Sequence, residues 1–141
     1  MFTELIFLIN LCATLFLTGL IWVIQVVHYP SFRFVSEKEF LAFHQFHSQR
    51  ISYLVIPTMT IELITSGILW WLSTWFSLNS IGFYLVILIW ISTALFSVPC
   101  HSKLLHGKDM NILNKLVSTN WIRTVLWSTK MLVSLWVLHN N

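Results

Sequence analysis

The sequence predicts an all-α integral membrane protein, an up-down four-helix bundle, on three observations. The 141 residues are 57% hydrophobic and 9% charged, with a mean hydropathy of +0.77, far from the balance of a soluble domain. Four apolar stretches, at about 5–27, 51–72, 81–98 and 121–138, are near or above the roughly 18 to 20 residues that span hydrocarbon. The connections between them are short, which favours antiparallel neighbours. Residues 1–141 therefore form one domain, with helices expected at about 5–29, 37–72, 80–99 and 120–138. No internal repeat or low-complexity tract interrupts it.

The first segment carries Glu4 and no Lys or Arg ahead of a long apolar run, so it reads as a retained helix, not a signal peptide. Asn10, Thr14, Thr18, Gln25 and His28 fall within about 80° of arc at 3.6 residues per turn. Such a polar stripe supplies interhelical hydrogen bonds at about 0.6 kcal/mol per contact. In the second helix, Ser36-Glu37-Lys38-Glu39 has the spacing of a capping box, with Ser36 as N-cap and Glu39 reaching back. His44, His47, Thr58, Glu62 and Thr65 then share a face, provided Pro57 kinks the helix without rotating it far. Trp70, Trp71 and Trp75 read as an interfacial aromatic belt.

The third helix is expected to end at Val98-Pro99 and the fourth to open at Asn120. There Asn120 is either the N-cap or part of a site, and Arg123 either anchors the helix to headgroups or serves that same site. Cys12 and Cys100 lie about a membrane thickness apart, which excludes a disulfide between them. Both read as small apolar core residues.

Cations set the orientation. Arg33, Lys38 and Arg50 flank the first connection, and Lys103, Lys108, Lys115 and Arg123 the third, while 73–80 carries no charge. By the positive-inside rule both termini face outward and the histidine-rich loops face the cytoplasm of an inner or plasma membrane. This bias accounts for the net charge of +3 and the pI near 9.1, so neither argues for nucleic acid.

Two groups of residues carry candidate chemistry. Counted from the cytoplasmic side at 1.5 Å per residue, Glu62 lies about 18 Å deep and Lys130 about 15 Å. Matching depths suit a buried ion pair or a neutral hydrogen-bonded pair, and charge near mid-bilayer is a default functional signal. Alternatively, Lys130 flanks a helix interface or snorkels. The second group is His28, His44, His47 and His101, where apolar segments meet loops. Four imidazoles suit a transition metal such as zinc, copper or iron, and two opposing ones suit haem b. The structural alternative is hydrogen bonding to carbonyls freed near Pro30 and Pro99. No thiolate pair or Glu-x-x-His repeat points to an iron–sulfur or carboxylate-bridged di-iron site. His106 and His139 read as exposed.

Pro30 closing the first helix, the aromatic-rich run Phe40 to Phe46, Val98-Pro99 and Asn120-Trp121-Ile122-Arg123-Thr124 together cover most of the chain. In these motifs the chain resembles the anthrone oxygenase-like family of small four-helix membrane proteins. That pattern often has Asn two residues after the third-helix proline, where this chain has His101, so the histidine-rich set marks a divergent branch. The resemblance implies an oxidoreductase that acts with molecular oxygen on a flat lipophilic aromatic. In that chemistry a base removes an acidic ring proton, with His44 or His47 as the base. Asn120 and Arg123 hold the developing oxyanion at a helix N-terminus.

Three function classes follow: a membrane oxidoreductase taking a small lipophilic substrate from the bilayer, a metal- or haem-binding protein without turnover, and an accessory subunit. A homo-oligomer is compatible with each. Transport is less attractive, because the sequence shows no inverted repeat.

Overall fold

The computed structural model describes residues 1–140, and every regular element among them is helical. Four long helices make the fold: α1 (Phe2–Phe34), α2 (Glu37–Trp71) and α3 (Leu78–Leu104), and α4 (Met110–Asn140). α1 packs on α2 and α4, and α3 packs on the same two helices from the other side. Contact register shows the direction of each neighbour. Asn10 meets Thr65, Thr14 meets Glu62 and His28 meets His47 along α1 and α2. Asn10 meets Lys130 and Gln25 meets Asn120 along α1 and α4. Partner numbers fall as those of α1 rise, so these neighbours run antiparallel.

α1, α2 and α3 are long and apolar enough to cross a membrane, and α4 is not among them. The reason lies in which face of α4 is polar. Its buried residues include Asn120, Arg123, Thr124, Lys130 and Ser134, whereas Ile122, Val125, Leu132 and Trp136 are exposed. Arg123 and Lys130, the two charged residues of its apolar stretch, both point into the bundle.

Both prolines expected to end helices fail to do so. α1 continues through Pro30 to Phe34 and α3 through Pro99 to Leu104. Each proline is preceded by a wide π-turn, Ile24–His28 and Thr93–Ser97, and then occupies the first turn of renewed α-helix. Proline's missing N–H is tolerated in a first turn, so the chain passes on. Pro57 lies inside an unbroken α2, with its ring on the exposed side.

The start of α4 is also corrected. The helix begins at Met110, after a turn in which Gly107 takes a φ of 137°. Asp109 is its cap, its carboxylate accepting from the amides of Asn111 at 2.8 Å and Ile112 at 3.2 Å, an interaction of about 1 kcal/mol. Asn120 is therefore mid-helix, neither an N-cap nor beside a helix dipole end. Arg123 is buried, so it is no headgroup anchor. Ser36 does precede α2 in extended conformation, but its hydroxyl donates to Glu39 at 2.8 Å instead of capping an amide.

Two apolar clusters pack the interior. One joins Tyr29, Phe32, Phe40, Cys100, Leu104 and Leu116 where α1 and α3 end; the other joins Leu17, Ile21, Met59, Ile89 and Trp127 further along the axis. The ends of the first cluster are tied by Lys108, whose ammonium donates to the carbonyls of Arg33 at 2.9 Å and Val35 at 2.6 Å. Cys100 is buried and Cys12 exposed, both as free thiols, so the core reading holds for Cys100 alone. Thr58 is half-buried and donates to Leu54 of its own helix; Met59 takes the inward position instead.

Candidate functional site

The polar stripe of α1 faces the bundle interior, with Asn10, Thr14, Thr18 and Gln25 buried, and it organises two separate polar groups. The first surrounds the ion pair of Glu62 and Lys130, whose charged atoms are 3.1 Å apart. Glu62 also accepts from the Thr14 hydroxyl at 2.9 Å and the Trp127 indole at 3.0 Å. Lys130 donates to Asn10 at 3.0 Å and to Thr14. Asn10 in turn donates to Thr65 at 2.8 Å and Ser66 at 2.7 Å. The snorkelling reading of Lys130 is thereby overturned: its side chain is 1% exposed, because residue 130 shares the buried face of α4 with Asn120, Arg123 and Trp127.

The second group gathers the histidines. His28 Nε2 lies 2.6 Å from His47 Nδ1, and His44 Nε2 lies 3.0 Å from His101 Nδ1. The His44 and His101 rings stack with centroids 5.2 Å apart, and His44 stacks on Phe40 at 5.7 Å. In each pair one ring nitrogen donates and the other accepts, so two lone pairs are spent inside the cluster. His101 Nε2 is 3.0 Å from the Tyr29 hydroxyl. Tyr29 receives the Arg123 guanidinium at 3.5 Å, and Arg123 also donates to Asn120 Oδ1. Asn120 donates to Gln25 at 2.7 Å, and Gln25 to the Val117 carbonyl at 3.2 Å.

Among the described residues no group of three or more His, Cys, Asp or Glu is disposed to hold a metal ion. The imidazoles are turned onto one another pairwise, with His28 Nε2, His47 Nδ1, His44 Nε2 and His101 Nδ1 hydrogen-bonded and His44 Nδ1 and His47 Nε2 buried without a partner. Their rings are in direct contact, which leaves no slot for a haem between opposing ligands. As packed, the imidazoles do not converge on one point that a shared zinc, copper or iron ion would occupy, and their ring contacts leave no room for haem b.

What the cluster does border is a cavity of about 580 Å³ between α2 and α3. The π-turn of α3 forms part of its wall through Thr93 and Ser97. Leu17, Ile21, Val55, Met59, Trp90 and Trp127 give it an apolar body, and Tyr29, His101 and Arg123 a polar end. Ile56, Val98 and Leu105 of the lining are exposed on the outer surface, so the cavity opens sideways.

His101 is therefore the imidazole on the wall, while His44 and His47 stand behind it and His28 behind His47. Asn120 reaches the cavity through Arg123. Glu62 and Lys130 do not line it; Trp127 does, and its indole N–H is the link to Glu62. Tyr29, Trp90 and Trp127 are wall residues that reading the sequence passed over. A signal existed for two of them: Tyr29 is one turn beyond Gln25 on the polar stripe, and Trp127 one turn beyond Arg123.

Chemically, the chain Tyr29–His101–His44 holds protons in either of two directions. With Tyr29 donating to His101 Nε2, His101 Nδ1 donates to His44 Nε2; every bond reverses when a proton is taken up at Tyr29 and one is released from His44 Nδ1. An imidazole so connected at the wall of an apolar cavity is equipped to take or give a proton there. The chain matches no protein-family profile, no curated protein and no solved structure.

Proposed function

We propose that this chain is a multi-pass membrane oxidoreductase, an up-down bundle in which α4 crosses with the other three helices. A small lipophilic aromatic enters the cavity sideways from the bilayer, displaces the Tyr29 hydroxyl from His101 Nε2 and loses an acidic proton to that nitrogen. The observation that carries this reading is His101 itself. It stands at the polar end of a largely apolar cavity and is hydrogen-bonded at both nitrogens, to His44 and Tyr29. Resemblance to the anthrone oxygenase-like family supplies the reaction. A methylene between aromatic rings loses a proton, adds molecular oxygen and leaves as a ketone with release of water. Arg123 and Tyr29 lie at the polar end, where the developing oxyanion forms.

The test is oxygen uptake with anthrone, using protein in nanodiscs and subtracting the uncatalysed oxidation. His101→Ala should lower the rate by about 10²-fold or more, with ketone formed one-for-one with oxygen consumed. Equal rates in wild type and His101→Ala would sink the proposal. A second reading, a lipophile-binding protein without turnover, draws support from both His101 nitrogens being engaged; it predicts binding of the same compound with no oxygen uptake.

A further inference from the structure

The cavity carries a positive charge that no acid among the described residues neutralises. Arg123 is 6% exposed, and its hydrogen-bond partners, Asn120 and the Tyr29 hydroxyl, are neutral. Its Nε is buried without a partner. A guanidinium does not lose its proton to escape such a site.

The acidic side chains all stand elsewhere. The chain has five. Glu62 is held by Lys130 and Glu4 by the N-terminal amine. Glu37 and Glu39 open α2, and Asp109 caps α4. Among the described residues no carboxylate forms an ion pair with Arg123. An unpaired buried charge is among the costliest arrangements a protein can keep, and this one faces an empty apolar volume instead of an acid.

Two further donors stand just beneath the wall. Of the buried polar atoms without a partner, two belong to cavity-lining residues, Arg123 Nε and Trp90 Nε1. Both are N–H donors with no capacity to accept. With the Arg123 charge at one end, the lining favours acceptor oxygen and negative charge on a body apolar enough for Leu17, Ile21, Val55 and Met59.

We infer that the cavity binds a lipophilic monoanion in its ground state, an anionic oxygen on an apolar body, with that oxygen on Arg123. A carboxylate and an ionised phenol share this chemistry. Its volume of about 580 Å³ falls within the roughly 300–1,000 Å³ of small-molecule sites. The inference rests on reading the cavity as the substrate site, but not on turnover.

The test reads binding alone. The probe is 4-nonyl-2-nitrophenol, whose yellow ionised form reports its charge, added to protein in nanodiscs of neutral lipid. Wild type should bind the ion in preference to the neutral phenol and lower its protonation midpoint by about one pH unit or more, a tenfold preference. Arg123→Gln should weaken binding of the ion by about tenfold or more, and Arg123→Lys should restore part of it. Dodecanoate displacing the probe, with dodecanol inert, extends the site to carboxylates. Dodecanoate failing while the nitrophenolate stays bound assigns it to phenolates. No midpoint shift in wild type, an equal shift in Arg123→Gln, or dodecanol competing as well as dodecanoate would each overturn the inference. Should Arg123→Gln fail to fold, the wild-type competition decides by itself. A protein that binds the anion without consuming oxygen would keep this inference and lose the oxygenase reading.

Discussion

Glu62 and Lys130 bury opposite charges at 0% and 1% exposure, and every partner they use is another buried polar group of α1, α2 or α4. A pair of this kind need not stabilise the fold relative to an apolar pair, yet breaking it from one side leaves a lone buried charge. Glu62→Gln should therefore cost about 3–5 kcal/mol, whereas Glu62→Leu combined with Lys130→Met should recover most of that. Thermal unfolding in detergent, followed by tryptophan fluorescence, checks the order; a double variant less stable than Glu62→Gln would contradict it. Arg123 differs because its missing partner is an acid that the chain does not provide. Sequence reading left both cations open, Lys130 between a pair with Glu62 and snorkelling, Arg123 between a headgroup anchor and a site. It had no way to see that one is paired and the other is not, because pairing depends on which side chain of another helix arrives at the same height.

Among the elements, the π-turns do the most to shape the site. A π-turn carries one residue more than the α-turn it replaces, and so offsets the helix after it by about 100°. In α3 the turn Thr93–Ser97 precedes Pro99 and brings His101 round to the wall, while Thr93 and Ser97 line the same cavity. Deleting Ala94, which is exposed, should restore plain α-helix and swing His101 away from Tyr29 and His44. Circular dichroism should then show unchanged helicity while nitrophenol binding falls; unchanged binding would mean that the π-turn does not set the register of the site. Pro99→Ala should be milder, because a first-turn proline gives up no hydrogen bond. Helix ends were the least legible feature. Pro30 and Pro99 looked like stops because the compensating wide turn has no residue signature, and the Asp109 cap was overlooked beside the stronger apolar run that starts later.

At the scale of the whole molecule, the exposed apolar faces of all four helices and the inward polar face of α4 favour a bundle that spans the bilayer as one unit. The cation bias predicts that the histidine-rich end is cytoplasmic. Alkaline phosphatase fused after Leu138 should be active, and the same enzyme fused after Lys108 inactive; the reverse pattern would invert the orientation. Composition and periodicity by themselves determined the all-helical class, the polar stripe of α1 and the inward placement of His44, His47, Glu62 and Thr65, because apolar and polar side chains repeat at the helix period whatever the partner. Only the tertiary structure decided that the histidines pair with one another, that His101 walls the cavity in front of His44 and His47, and that Arg123 lacks a counter-ion. Those outcomes depend on the relative height and rotation of helices distant in the chain, which are set by packing and by the π-turns, and no local pattern encodes them.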